Sequence, residues 1–310
     1  MKSLVLFSND LRLNDNDAIN SSIKGYDSTT FLFVFDKNLY LKTHGSANLW
    51  WLKKSLDHLK ENLKGKKITL HIIQGDYIKK TLEIIEKYKF DSVFINQNKH
   101  PEFIKKEEIL KLSLKKININ LFAYNKATLV DPALILNKTG DPYKVYSPFY
   151  KNCKLLYSQK EVLKFPSINI RNFIIEEKEI DTSKVFSINN NKWSEKFDKY
   201  WSPGEDNAHI SLEKFFKSSL SNYKEVRDIP SVSGTSKLSP HLRFGEITTN
   251  QIINHFKFHD NHALSKHEEH FIKELYWREF SYYILFHFPY VIDKPFNKKY
   301  ENFEWEVNYK

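Results

Sequence analysis

Scarcity excludes several classes of protein at once. Cys153 is the single cysteine among 310 residues, so neither an intrachain disulfide framework nor a four-thiolate iron–sulfur site can form. No apolar run approaches the ~20 residues that span a bilayer. Residues 1–7 are too short for a signal peptide and run straight into Asp10. They read better as a first β-strand, and a cytoplasmic location is expected. There are eight glycines, and none falls in a Gly-x-Gly-x-x-Gly or Walker-type loop, the usual sequence marks of a phosphate site in an α/β sheet. Arginine is scarce as well: Arg12, Arg171, Arg227, Arg243 and Arg278 are the only ones among 48 basic residues.

What is abundant is lysine, and it is unevenly placed. The net charge is +10, and Lys plus Arg against Asp plus Glu counts 34 to 23 over residues 1–200 but 14 to 15 over 201–310. Net charge alone therefore argues only slightly for a nucleic-acid partner. Twenty-four Phe, 17 Tyr and six Trp supply enough apolar area for a sizeable core, and the length suits two cores better than one.

Residues 1–125 alternate short β-branched runs (3–7, 29–35, 68–74, 92–96, 118–122) with helical patterns (17–24, 47–63, 77–88, 101–115). That alternation predicts a doubly wound, mostly parallel sheet with helices on both faces. Residues 126–201 read as a connector with one short helix near 148–157. From 202 to 310 strand signals cease and helical periodicity dominates at 208–219, 248–259 and 266–288. The fold class is α/β followed by an all-α part.

Two stretches carry candidate chemistry. Gly234-Thr235-Ser236-Lys237-Leu238-Ser239-Pro240 precedes a helical stretch and suits a turn whose amides and hydroxyls face an anion. A capped loop is its bland alternative. On the helix through 266–288, Glu274, Trp277, Arg278 and Ser281 share one face. An indole between a carboxylate and a guanidinium can stack on a flat heterocycle; the bland alternative is a core Trp beside an ion pair of Glu274 with Arg278. His255, His259, His262, His267 and His270 crowd together, but His267-Glu268-Glu269-His270 is not the zinc spacing, and no metal is expected.

Taken in order, the motifs resemble the photolyase/cryptochrome flavoproteins, specifically the class I photolyase branch. Phe7-Ser8-Asn9-Asp10-Leu11-Arg12-Leu13-Asn14-Asp15-Asn16 is similar to the family's opening, with Ser8 replacing an Arg. Gly140-Asp141-Pro142-Tyr143-Lys144-Val145-Tyr146-Ser147-Pro148-Phe149 is similar to its connector, and Pro203-Gly204-Glu205 with Ala208 to the entry of its helical domain. Arg227-Asp228, the run 234–240 and Glu274-Leu275-Tyr276-Trp277-Arg278-Glu279 follow at family-like separations.

The resemblance implies a Rossmann-like domain (1–125), a connector (126–201) and part of an all-α FAD-binding domain (202–310). It implies that Tyr223, Thr235, Ser236, Lys237, Leu238, Ser239 and Phe271 hold FAD. Glu274 and Trp277 would meet a flipped-out cyclobutane pyrimidine dimer in UV-damaged DNA, with Arg227, Arg278 and Ser281 on the DNA side. The implied activity is light-driven dimer repair by electron transfer from reduced FAD. A blue-light receptor of cryptochrome type and a remnant that binds no flavin are the alternatives. The Asn-Glu pair of folate-antenna members would fall on Glu102 and Phe103 and is not reproduced, so the resemblance carries over no folate antenna. The family's Gly-x-Thr-Gly-x-Pro-x-x-Asp-Ala and His-Asn-Arg segments, expected after Trp305, do not occur. The helical domain is therefore expected to be partial here, the missing segment lying either in a downstream continuation or on a separate polypeptide; the chain is otherwise expected to be monomeric. Tyr276, Tyr282, Tyr283, Phe286 and Phe288 are candidates for an apolar surface left uncovered.

Overall fold

The computed structural model describes residues 1–167, 170–182, 193–256 and 264–304. Five parallel strands form one sheet: β1 (Lys2–Phe7), β2 (Ser28–Phe35), β3 (Leu70–Gln74), β4 (Ser92–Asn96) and β5 (Asn120–Tyr124), in the order β3-β2-β1-β4-β5. β2 and β4 are buried throughout and β1 from Ser3 onward, as expected of a parallel sheet covered on both faces. Between them run α1 (Asp17–Gly25), α2 (Lys37–Thr43), α3 (Ser46–Lys64), α4 (Tyr77–Tyr88) and α5 (Pro101–Lys116). Polar caps set several helix starts: the side chains of Asn16, Asp36 and Asp76 accept from Ile19 N, Leu39 N and Lys79 N respectively.

The doubly wound sheet is as the alternation predicts. The short α2 is an addition, and β5 begins two residues later than its apolar run. Asn118 takes a left-handed φ of 57° in the turn that ends α5, so extended backbone cannot begin until that turn is complete.

The second half contains α6 (Tyr146–Leu156), α7 (Trp193–Phe197), α8 (Glu205–Ser218), α9 (Tyr223–Val226), α10 (Ser239–Arg243), α11 (Thr249–His255) and α12 (Lys266–His287). α12 starts at a capping box in which Ser265 Oγ accepts from Glu268 N and the Glu268 carboxylate accepts from Ser265 N. The helical pattern expected over 248–259 is observed to His255; residues 257–263, with His259 and His262, lie outside the described residues. No described helix is long and apolar enough to cross a membrane.

The buried residues form two cores. One surrounds the sheet, and the other joins Leu212, Phe215, Tyr223, Phe271 and Tyr276 to connector residues such as Leu129, Phe149 and Cys153. The connector is thus partly built into the helical half. Two residues expected on an uncovered apolar surface are in fact inside it. Tyr276 is 3% and Tyr283 0% exposed, because α6 lies on them through Tyr150 and Phe149. Phe286, by contrast, is exposed.

The opening motif joins the two halves. Leu11 N donates to Phe244 O, Arg12 Nη1 to Gly245 O, and Thr248 Oγ1 to the Asp15 carboxylate. Buried Glu205 accepts from Leu13 N and from the Asn14 amide and side chain. Gly245 has φ +65°, and a Cβ there would lie 2.2 Å from Asn9 O, so this approach requires glycine.

Candidate functional site

In a sheet of this order the ligand crevice is expected outside the C-terminal ends of β1 and β4. Here Arg12, Asn96, Arg243 and Arg278 fill it to a cavity of about 30 Å3, enough for about two waters. The larger cleft is in the helical half. It has a volume of about 770 Å3, within the range of ligand sites.

Every predicted site residue except Trp277 and Ser281 lines this cleft. Tyr223 and Phe271 form its aromatic floor, meeting edge-on at 5.3 Å over Phe215. The loop 234–240 forms one rim. Gly234 lets the loop press on α9, since a Cβ would lie 2.5 Å from Val226 Cγ2. Lys237 is left-handed (φ 55°) and Leu238 right-handed, a pairing that turns successive amides toward one side. Buried Leu238 anchors the loop, leaving Thr235, Lys237 and Ser239 exposed. The donor set of hydroxyls, amides and one ammonium matches an anion.

α12 supplies the opposite wall. Glu274 pairs with Arg227 rather than with Arg278, so the ion pair of the bland alternative does not form. Arg227 also contacts His270 Nε2 at 3.2 Å, lies over the Tyr223 ring, and is held more firmly in its charged form by Glu274. Of the remaining histidines, His267 pairs with Glu225 at 3.0 Å.

Arg278 turns inward. Its guanidinium donates to Ala127 O at 2.9 Å and Thr249 Oγ1 at 3.2 Å and pairs with buried Glu279. Burial pushes the Glu279 carboxyl up, and Arg278 opposes that shift. Ser281 Oγ donates back to Trp277 O at 3.0 Å. Trp277 is 45% exposed and lies outside the cleft, its indole flat against Tyr146 with centroids 3.7 Å apart and planes 6° apart.

Trp201, Arg243 and Tyr282 also line the cleft, none of them expected there from the sequence, which offers Tyr282 only as part of an uncovered apolar surface. Arg243 follows the cradle by one short helix, and burial disfavours its charge. A lone Arg at the end of a helical stretch is no signal by itself; its nearness to the 234–240 run was the clue available.

A parallel doubly wound sheet joined to a helical half with a hydroxyl-rimmed, aromatic-floored cleft defines a two-part protein of α/β and all-α halves. The DNA photolyase family profile matches residues 3–167, and the chain belongs to that family. It is 29% identical over 303 residues to a deoxyribodipyrimidine photo-lyase of Agrobacterium fabrum (strain C58), covering 97% of this chain and 63% of that protein. It is 26% identical over 317 residues to cryptochrome-1 of Arabidopsis thaliana, covering 99% of this chain and 46% of the relative. The crystal structure of a bacterial class III photolyase from Agrobacterium tumefaciens superposes with a TM-score of 0.91 at 29% identity, over 98% of this chain and 63% of that one. The chain thus spans under two thirds of the length of these relatives.

Proposed function

We propose that this chain provides the phosphate cradle and the lesion-facing wall of a light-dependent DNA repair protein that opens cyclobutane pyrimidine dimers with FAD. The observation that carries this reading is the meeting, in one cleft, of the 235–239 loop, the Tyr223–Phe271 floor and Glu274. When bound in its reduced form, FAD would supply light-driven one-electron donation to the cyclobutane ring, with return of the electron after ring opening.

The residues fit such a dinucleotide. The hydroxyls of Thr235, Ser236 and Ser239 and the amides around Lys237 would bond its pyrophosphate, with the Lys237 ammonium balancing charge. Tyr223 and Phe271 would line the pocket and exclude water. Glu274 would accept a hydrogen bond from the N–H edge of a flipped-out pyrimidine, and Trp277 would offer a stacking face. Extrusion is cheapest for a damaged base, whose pairing and stacking are already weakened. Arg227 would meet the DNA backbone, releasing Glu274 as a phosphodiester takes its guanidinium. Arg278, bonded to Ala127 O and Glu279, serves to hold α12 against the connector.

The test is a visible absorption spectrum of the purified chain with added FAD, followed by irradiation with dimer-containing DNA. Bound flavin and loss of dimers are expected. A colourless chain would overturn the cradle assignment. A coloured chain that leaves dimers intact would favour the cryptochrome-type reading.

A further inference from the structure

The connector motif 140–149 is not absorbed by the cleft, yet the structure ties it to the exposed Trp277. Tyr143 N donates to Tyr283 Oη at 2.7 Å, and Tyr283 Oη in turn donates to Ile135 O. Three residues further on, Tyr146 opens α6 and donates from its hydroxyl to Lys273 O at 3.0 Å. The connector is therefore fastened to α12 at two points more than two helical turns apart. Between these points Phe149 packs on Phe280 and Tyr283, and Tyr150 meets Tyr276 edge-on.

This fastening sets the Tyr146 ring parallel to the Trp277 indole at a centroid distance of 3.7 Å. Ordinary aromatic pairs are offset or tilted, with centroids about 4.5–7 Å apart. Phe280 meets the same indole at 73° and 5.9 Å, an edge contact that leaves a face free. Among the described residues no second ring lies parallel to Trp277, and the side chain remains 45% exposed.

We infer that Tyr146 is a positioning residue for lesion recognition: it covers one face of Trp277, fixes the plane of the indole, and leaves the opposite face as the one on which a pyrimidine can stack. This rests on the proposed function, because it refines how the same Trp277 would meet the lesion. The physical argument is one of preorganisation. A half-exposed Trp samples several rotamers, whereas an indole already clamped on one side loses little further freedom when a base covers the other. The Tyr146 hydroxyl bonds the carbonyl four residues before Trp277, so ring and backbone are held by the same turn.

The experiment compares Tyr146→Ala, Tyr146→Phe, Trp277→Ala and the Ala–Ala double variant of the full chain. Each is titrated with an oligonucleotide carrying one cyclobutane thymine dimer and with the undamaged oligonucleotide. Acrylamide quenching of tryptophan emission is read on the free chains, with Trp277→Phe as the reference for the Trp277 contribution. Tyr146→Ala is expected to reduce the damaged-to-undamaged affinity ratio by at least about fivefold, the low end of the value of one base–aromatic stack. Its affinity for undamaged DNA should not change, and quenching of Trp277 should rise. Tyr146→Phe keeps the ring and should keep the ratio, and the double variant should be no worse than Trp277→Ala. A wild-type ratio or unchanged quenching in Tyr146→Ala, with the ratio lost in Trp277→Ala, would overturn the role of Tyr146 alone. A wild-type ratio in Trp277→Ala would instead bring down the lesion-site reading, and this inference with it.

Discussion

Glu107 is buried in α5, accepting from Asn98 N, and burial pushes its carboxyl up to about 8. The folded chain therefore holds a proton that the unfolded chain releases near the ordinary value of 4.5. Stability from this group is complete below that value and is lost as pH rises through about 8. His44 acts in the opposite sense. Burial, with Arg243 nearby, lowers it to about 3, so its contribution is lost as pH falls from 6.5 toward 3. The two ranges overlap below pH 6.5, and from pH 6.5 to about 8 lies a window in which Glu107 acts without His44. Thermal midpoints should fall across that window in the wild-type chain and fall less in Glu107→Gln; parallel curves would refute the assignment. At the same scale, Arg227→Gln should weaken binding to damaged and undamaged DNA by one factor and reduce the salt slope by about one. A loss confined to damaged DNA would instead tie Arg227 to Glu274 and the lesion. None of these charge states was legible in the sequence, because burial and partners come from elements far apart in the chain.

The regular elements were the legible part. Period-two and period-3.6 patterns are local, so β1 to β4 and the long α3, α4, α5 and α12 stand close to where their apolar residues indicate. α2 was not seen because Leu39 and Tyr40 are too few to define a face, and the Asp36 cap that starts it is an ordinary loop residue. The 234–240 run was legible as residue types only, and its place opposite Glu274 comes from α12 lying across the loop. The partner of Glu274 was not legible, since helical spacing suggests Arg278 and tertiary packing delivers Arg227. For α12 itself, Ser265→Ala removes one half of the capping box and should cost about 1 kcal/mol, read by denaturant unfolding. If no loss is seen, the N-terminal turn of the helix is held by other contacts.

The seam between the halves governs the molecule as a whole. Gly245→Ala would place a methyl group against Asn9 O in a left-handed conformation. A loss of about 2–5 kcal/mol is expected from strain and overpacking together. A midpoint near the wild-type value would mean that the halves can dock with the strand-end loop displaced. The opening motif was read from sequence as a family mark only. Its physical task appears once Arg12, Asp15, Glu205 and Gly245 are seen in contact.

That seam also orders events during synthesis. The backbone amides of Leu13 and Asn14 find their acceptor in Glu205, and Arg12 finds Gly245, 233 positions later. At about 5–20 residues per second, a ribosome delivers those partners roughly 10–45 s after the first strand emerges. Until then the nascent sheet carries an open loop at the C-terminal end of its central strand, and contacts of such long sequence separation form late and slowly. The motif at residues 10–16 therefore locks only after residues about 200 positions later have been made, so its closure is a checkpoint on the arrival of the helical half.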